Sequence, residues 1–369
     1  MKIILTGLNG YGSHFIEPLL EEESKDQLVA VVSRNPENSN YYKKLKEKNI
    51  SFYKTIEECL LNEEADVAMI TTPMHIHYKE VMCALSHKVS VLCEKPATTT
   101  TAQCMEIMEY AKKQGCHVAV GYQWSYSKGI LDLKRVLLEG KFGRLTSAKA
   151  IVNWNRPKTY FSESNWKGRK RGANGEPIND SVLSNCTSHF IHNLLFLAGE
   201  QMHTDAEIKE ITGECYVAHA IETFDTCYLS MITKNNIPLY YMATMVSDQS
   251  ETPKFELICE HAKITYPVGE EGRILVKKDT AEEVYYDCPN NQRFTYFREV
   301  FDCIRNNKQL PCDVATVLPD QKLVDFVTNT IEVIPFPKET IRETDEIIEV
   351  QGLKEHMQQC YRDESIYYK

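Results

Sequence analysis

Apolar and polar positions fall into two regimes along the chain. In the first regime short apolar runs alternate with longer stretches whose apolar positions recur at helical spacing. Residues 2–6 read as a strand, 13–22 as a helix and 28–33 as a second strand. A strand over 67–71, a helix over 78–85, a strand over 89–94, a helix over 102–114 and a short apolar run over 117–120 follow. Apolar strands separated by helix-length segments predict βαβ units and a parallel sheet buried on both faces. After Gly121 the pattern changes. Residues 128–139 read as a helix, and a loop-rich stretch full of Trp, Arg and Gly precedes a helix bearing His189 that stops near Gly199, a residue suited to a helix end. Between Ile208 and Tyr286 the runs 224–232, 239–246, 255–259 and 274–276 alternate and predict an antiparallel sheet. Helices over 294–305 and 320–333 precede a polar tail. The fold class is α/β, with a boundary near residues 121–125 that divides the chain into residues 1–122 and 123–369.

Length and composition narrow the picture. At 369 residues, two domains are the default. No apolar run approaches the ~20 residues of a membrane helix, and the opening strand is too short for the apolar region of a signal peptide. A net charge of −10 argues against nucleic acid or an anionic membrane as main partner. The 13 cysteines are odd in number, contain no Cys-x-x-Cys and mostly sit in apolar runs, as at Cys83, Cys93 and Cys259. That is the usage of reduced, buried thiols in a cytoplasmic protein.

The chemistry starts at Gly7-Leu8-Asn9-Gly10-Tyr11-Gly12, which follows a strand and opens a helix. This is the context of a dinucleotide fingerprint, in which glycines admit a pyrophosphate and the helix start supplies amide donors. An ordinary tight turn is the other reading. Asn9 replaces the middle glycine, and asparagine tolerates left-handed backbone. The second strand ends in Ser33-Arg34, where an NAD enzyme usually carries an acidic residue. A hydroxyl beside a guanidinium suits a 2′-phosphate, so NADP is preferred over NAD; a solvated turn is the alternative.

Lys95 and Pro96 end an apolar run, and Asn185 and His189 are spaced to share one face of a helix. A phosphate cradle, a strand-end lysine and a later histidine are what hydride transfer requires. Lys95 could equally be a solvated strand end, and His189 a core histidine capped by Asn185. Aromatic residues cluster between the two halves of the pattern: Tyr122, Trp124, Tyr126, Trp154, Tyr160 and Trp166. They fit a carbohydrate pocket or plain core packing. Arg156 lies in the same stretch, and the basic run from Trp166 through Arg169 to Arg171 could attract an anionic substrate or form a solvated loop.

Thr72-Pro73-Met74-His75-Ile76-His77, then Cys93-Glu94-Lys95-Pro96, then Asn185-x-x-x-His189 resemble the glucose–fructose oxidoreductase/inositol dehydrogenase (Gfo/Idh/MocA) family from residue 1 to about residue 199. The resemblance implies an N-terminal Rossmann dinucleotide-binding domain and a C-terminal α+β domain with a large, mostly antiparallel open sheet. That sheet would serve a homodimer or homotetramer. It also implies oxidation of a sugar, polyol or related hydroxyl, or reduction of the ketone, with NAD(P). By it, Lys95 lies between nicotinamide and substrate oxygen and His189 is the acid/base. Thr72, Pro73, His77 and Glu94 border the cofactor, and a cis peptide precedes Pro96. It accounts for His75-x-His77 without a metal. Departures are Asn185 and His192 where relatives often carry Asp, and a segment after Gly121 lacking their arginines; Tyr122 and Trp124 would then face a different substrate, and His192 reads first as a structural or supporting residue, with a substrate contact as the other reading. Two rivals stay open: redox-assisted cleavage of a glycoside with tightly held cofactor, and a non-catalytic NAD(P)-sensing regulator.

Overall fold

The computed structural model describes residues 1–21 and 25–367. Its contacts divide into two units. The first comprises Met1–Tyr126 and Gln292–Leu318, the second Ser127–Asn291 and Pro319–Lys369.

The first unit is built on β1 (Lys2–Thr6), β2 (Gln27–Val32), β3 (Ser51–Tyr53), β4 (Val67–Ile70), β5 (Ser90–Cys93) and β6 (Val118–Val120). All pair in parallel, in the order β3-β2-β1-β4-β5-β6. Every residue of β4 and β5 is buried, which explains why both read as unbroken apolar runs. Strand order reverses between β1 and β4, so the crevice for a ligand lies at the carboxyl ends of those strands. The helix expected over 13–22 is instead a 3₁₀ turn, Gly10–Phe15, followed by one α-helical turn, Ile16–Leu19. Glu22 lies outside the described residues. Three short elements escape the pattern: helix Tyr42–Glu47, strand β3 and helix Ile56–Asn62. The last is started by Thr55, whose hydroxyl accepts from the Glu58 amide at 3.1 Å.

The expected second domain, residues 123–369, is interrupted. Helix Phe297–Arg305 buries Phe297, Val300, Phe301 and Cys303 in the same core as β1, β4 and β5. The Val120 amide donates to the Cys312 carbonyl at 3.0 Å and the Tyr126 hydroxyl donates to it at 2.6 Å. Residues 292–318 therefore close the open edge of β6, and burying each of the two phenylalanines contributes about 1.5–3 kcal/mol.

The second unit carries β7 (Leu145–Asn153), β8 (Ile208–Val217), β9 (Thr226–Thr233), β10 (Pro238–Thr244), β11 (Lys254–Cys259), β12 (Ala262–Val268), β13 (Arg273–Lys278), β14 (Glu283–Tyr286) and β15 (Val333–Pro335). They form one nine-stranded sheet in the order β14-β13-β12-β11-β7-β10-β9-β8-β15. It is mostly antiparallel; β7 with β10 and β8 with β15 are the parallel pairs. Helix Ser188–Ala198 packs on β7. The tail is polar in composition but not unstructured: it forms a hairpin, Ile341–Glu343 with Ile348–Val350, and helix Leu353–Asp363. Leu353, Met357 and Cys360 recur at helical spacing among polar neighbours and pack on Ile151, Tyr228 and Met242. Among the described residues no helix is long and apolar enough to cross a membrane.

Candidate active site

In the first unit the turn after β1 requires its glycines. Gly7 (φ +88°) donates to the Val32 carbonyl at 3.1 Å, and a Cβ there would lie 2.8 Å from Thr71 backbone atoms. A Cβ on Gly12 would lie 1.9 Å from the Gly7 carbonyl oxygen. Gly10 (φ +66°) has nothing within 4 Å of its Cβ position, leaving backbone that a phosphate can approach. The left-handed turn residues are thus Gly7 and Gly10. Asn9 is extended (φ −100°, ψ 164°), so its tolerance of left-handed backbone is not what the turn uses. Tyr11 is folded into an aromatic cluster with Phe15 and Phe294, and its hydroxyl donates to Gln123 Oε1 at 3.1 Å. Burial raises its pKa.

Ser33 follows β2, its amide donating to the Tyr53 carbonyl at 2.9 Å, and Arg34 is exposed beyond it. Thr6, at the end of β1, and Thr72, two residues past β4, donate their hydroxyls to Glu80 Oε2 at 2.8 and 2.7 Å. Burial raises the Glu80 pKa, with those two hydroxyls and the Arg34 charge opposing. Pro73 starts helix Met74–Ser86. His77 is buried, with Nδ1 2.8 Å from the Pro96 carbonyl oxygen and Nε2 2.6 Å from that of Thr72. Burial pushes the imidazole down to about 4, so the neutral ring donates its single N–H to one of these carbonyls, and both nitrogens face backbone oxygens rather than an open coordination position.

β5 delivers Glu94 and half-buried Lys95, and the Lys95–Pro96 peptide is cis. Glu94 is 7% exposed. Burial raises its pKa to about 7, opposed by the Tyr296 hydroxyl donating to Oε1 at 2.9 Å and by the Lys95 charge. Tyr122 belongs to the apolar core of this unit and Trp124 is 3% exposed, so neither presents an open ring face for a sugar.

In the second unit Asn185 and His189 do not share one regular helix. Asn185 lies in a π-helical turn, Val182–Cys186, capped reciprocally by Ser181 and Ser184, whereas His189 is half-buried in the first turn of helix Ser188–Ala198. The wider turn directs the Asn185 amide to Asp180 Oδ1 at 2.7 Å, while Asp180 Oδ2 accepts from the Gly168 amide at 2.6 Å. Beside it, Arg156 Nε donates to Cys186 Sγ at 3.3 Å and its guanidinium lies 4.7 Å from the Trp154 ring centroid and 5.6 Å from that of Tyr160. Lys167 Nζ lies 3.8 Å from the Tyr160 ring centroid and 6.0 Å from that of Trp166, and Trp154 meets Phe190 edge-on at 5.6 Å. Burial raises the Tyr160 pKa and lowers that of Lys167.

Sequence comparison decides the family. Residues 1–122 match the model described as GFO_IDH_MocA, oxidoreductase family, NAD-binding Rossmann fold, and residues 130–265 match the GFO/IDH/MocA C-terminal domain. The chain belongs to the Gfo/Idh/MocA family. It is 24% identical over 199 residues to the scyllo-inositol 2-dehydrogenase (NADP(+)) of Bacillus subtilis, covering 53% of this chain and 52% of that protein. It is 23% identical over 159 residues to the 2,7-anhydro-N-acetylneuraminate hydratase of Escherichia coli, covering 42% and 41%. The chain spans about half the length of the curated relatives it matches. In fold it is similar to the WlbA dehydrogenase from Bordetella pertussis, solved with NADH and UDP-GlcNAcA (TM-score 0.71, 17% identity, 88% of this chain and 94% of that one). It is likewise similar to KijD10, a 3-ketoreductase from Actinomadura kijaniata solved with NADP (TM-score 0.71, 16% identity, 91% and 99%).

Within this Gfo/Idh/MocA chain, two residues weighed as substrate contacts take other surroundings. His192 is fully buried, its Nδ1 3.0 Å from Asp205 Oδ2 and its ring against Phe196, which makes it a structural residue. Arg169 is exposed, 4.0 Å from Glu222, rather than grouped with Arg156 on the tryptophans. Sequence reasoning did not single out Glu80, Tyr296, Asp180 or Cys186. Cys186 sits inside the quoted motif and Asp180 five residues before Asn185, so both were within sight. Tyr296 is 202 residues from Glu94, and no local pattern joins them.

Proposed function

We propose that this chain is an NAD(P)-dependent oxidoreductase acting on a CH–OH group, or the corresponding ketone, of a sugar, polyol or carbohydrate derivative, with NADP preferred. The observation that carries the reading is one parallel sheet bearing an open glycine turn after β1 and Lys95 after β5, both at carboxyl ends. The turn residues Gly7 to Gly12 fit a pyrophosphate, and Ser33 and Arg34 a 2′-phosphate. Thr72, Pro73, His77 and Glu94 hold the neighbouring loops in shape. When bound, the nicotinamide supplies or accepts a hydride. Lys95 donates a hydrogen bond to the substrate oxygen and stabilises the charge that develops there. His189 removes the hydroxyl proton in oxidation and returns it in reduction. Trp154 and Arg156 offer a ring face and a cation to the substrate. The inositol dehydrogenase relative and the fold neighbour solved with a nucleotide sugar support this class.

A second reading is favoured by the relative named as a hydratase: redox-neutral cleavage or hydration with retained cofactor. The test titrates the full chain with NADPH and NADH, following nicotinamide fluorescence, and then assays scyllo-inositol and hexoses by nicotinamide absorbance. The expected result is micromolar binding with NADPH preferred, and Arg34→Ala weakening NADPH about tenfold to a hundredfold while sparing NADH. No binding of either nucleotide by cofactor-free protein overturns the reading. Turnover of a glycoside without net absorbance change replaces it with the second.

A further inference from the structure

The second unit contains a cavity of about 490 Å³ to which the redox chemistry gives no role. That volume is within the roughly 300–1,000 Å³ of small-molecule sites. Its walls include Lys158, Phe161, Lys167, Arg169, His219 and Glu222. His219 is 7% exposed, and its backbone amide and Nδ1 lie 2.9 and 3.1 Å from Oδ2 of the fully buried Asp225. The carboxylate holds the ring proton on Nδ1, which leaves the lone pair on Nε2. Nε2 is buried and has no hydrogen-bond partner among the described residues. An unsatisfied buried atom of this kind carries a desolvation penalty that a ligand donor would remove.

The cations on these walls are not equivalent. Lys158 is paired with the Glu343 carboxylate, and Arg169 is 4.0 Å from Glu222. Lys167 makes no close ion pair among the described residues; its ammonium rests on the Tyr160 ring, with the Asp180 and Glu163 charges acting on it from farther off. Gly168 (φ +70°) brings the two loops together: a Cβ there would lie 2.6 Å from Ile221 Cγ2, and its carbonyl accepts from the Glu222 amide at 2.8 Å. The lining thus includes a lysine outside any close ion pair and a histidine whose Nε2 has no donor among the described residues. Phe161, 4.7 Å from the His219 ring centroid, adds an apolar surface.

We propose that this cavity binds an acidic carbohydrate, with Lys167 taking an oxygen of its carboxylate or phosphate and His219 Nε2 accepting from one of its hydroxyls. The carbohydrate part of this statement rests on the proposed oxidoreductase function; the anion site rests on the cavity. Isothermal titration calorimetry of the full chain with glucuronate, glucose 6-phosphate and glucose tests it. The expected result is at least tenfold tighter binding of one of the acids than of glucose, the better acid identifying carboxylate or phosphate. Lys167→Met should abolish that preference. In histidine-labelled protein the His219 side-chain NMR signals should move with the acid, a readout that needs no folded His219 variant. Equal affinity for all three sugars overturns the proposal, as does an acid preference that survives Lys167→Met without a His219 shift. NADPH titration of the same preparation separates the two readings: normal NADPH binding without acid preference removes the cavity proposal and leaves the oxidoreductase.

Discussion

The two units bring side chains together by different means. In the first, Gly7, Ser33 and Glu94 each follow directly on a strand of one parallel sheet and Thr72 lies two residues past another, so strand register alone carries residues far apart in sequence to a common edge. In the second, Arg156, Lys167, Asp180, Asn185 and Cys186 all lie between β7 and β8, and hydrogen bonds and ring contacts among loops gather them. A parallel sheet turns sequence order into a site through backbone pairing. The mixed sheet leaves that task to individual side chains, so single substitutions there should act more locally.

The sharpest test of this contrast is catalytic. Lys95→Ala and His189→Ala, one from each unit, should each lower turnover about 10²–10⁴-fold in steady-state assays while NADPH affinity stays within a few-fold. Near-wild-type rates in either variant would remove that residue from the chemistry.

Backbone dependence of the first unit predicts that Gly12→Ala, whose Cβ would meet the Gly7 carbonyl oxygen at 1.9 Å, costs about 3 kcal/mol in urea unfolding and abolishes NADPH binding. A fully stable, NADPH-binding variant would show that the turn can open.

Glu94 tests the electrostatics of the same unit. Its pKa is raised by burial from 4.5 to about 7, so the folded state holds the proton more tightly than the unfolded state. Its contribution is then full below about pH 4.5 and is lost as pH rises through about 7. Relative to Glu94→Gln, the wild type should lose up to about 3 kcal/mol between about pH 5 and about pH 8. Parallel stability curves for the two proteins would contradict a raised pKa.

The smallest effect belongs to the second unit. Asn185→Asp would set two carboxylates at the 2.7 Å now bridged by an amide donor. Repulsion raises one folded pKa, so the variant should be about 1–2 kcal/mol less stable near neutral pH and recover as pH falls. Full stability at neutral pH would mean that the side chain turns away from Asp180.

The contrast also explains what was legible in the sequence. β1, β4 and β5 are buried along nearly their whole length and read directly as apolar runs. β3 and its flanking helices are half-solvated and gave no such signal. Lys95 and the glycine turn stood out because a strand end marks them. Arg156 and Trp154 stood out only as members of a composition-biased stretch. The π-helical turn at Asn185 could not be foreseen, since the spacing of Asn185 and His189 suits an unbroken helix equally well. The two readings of His192, structural or substrate-facing, have the same root: periodicity gives the face of a helix, and only packing shows that this face meets Asp205 in the interior.

The return of residues 292–318 to the first unit has a consequence during synthesis. The strands through β6 leave the ribosome early, but the segment that caps β6 and supplies Tyr296 to Glu94 emerges only after the nine-stranded sheet has been largely translated. At about 5–20 residues per second, that interval is on the order of 10–40 s. Throughout it the nascent dinucleotide unit carries an unpaired strand edge and a Glu94 carboxylate still lacking its Tyr296 donor, a window in which chaperone capture competes with self-association.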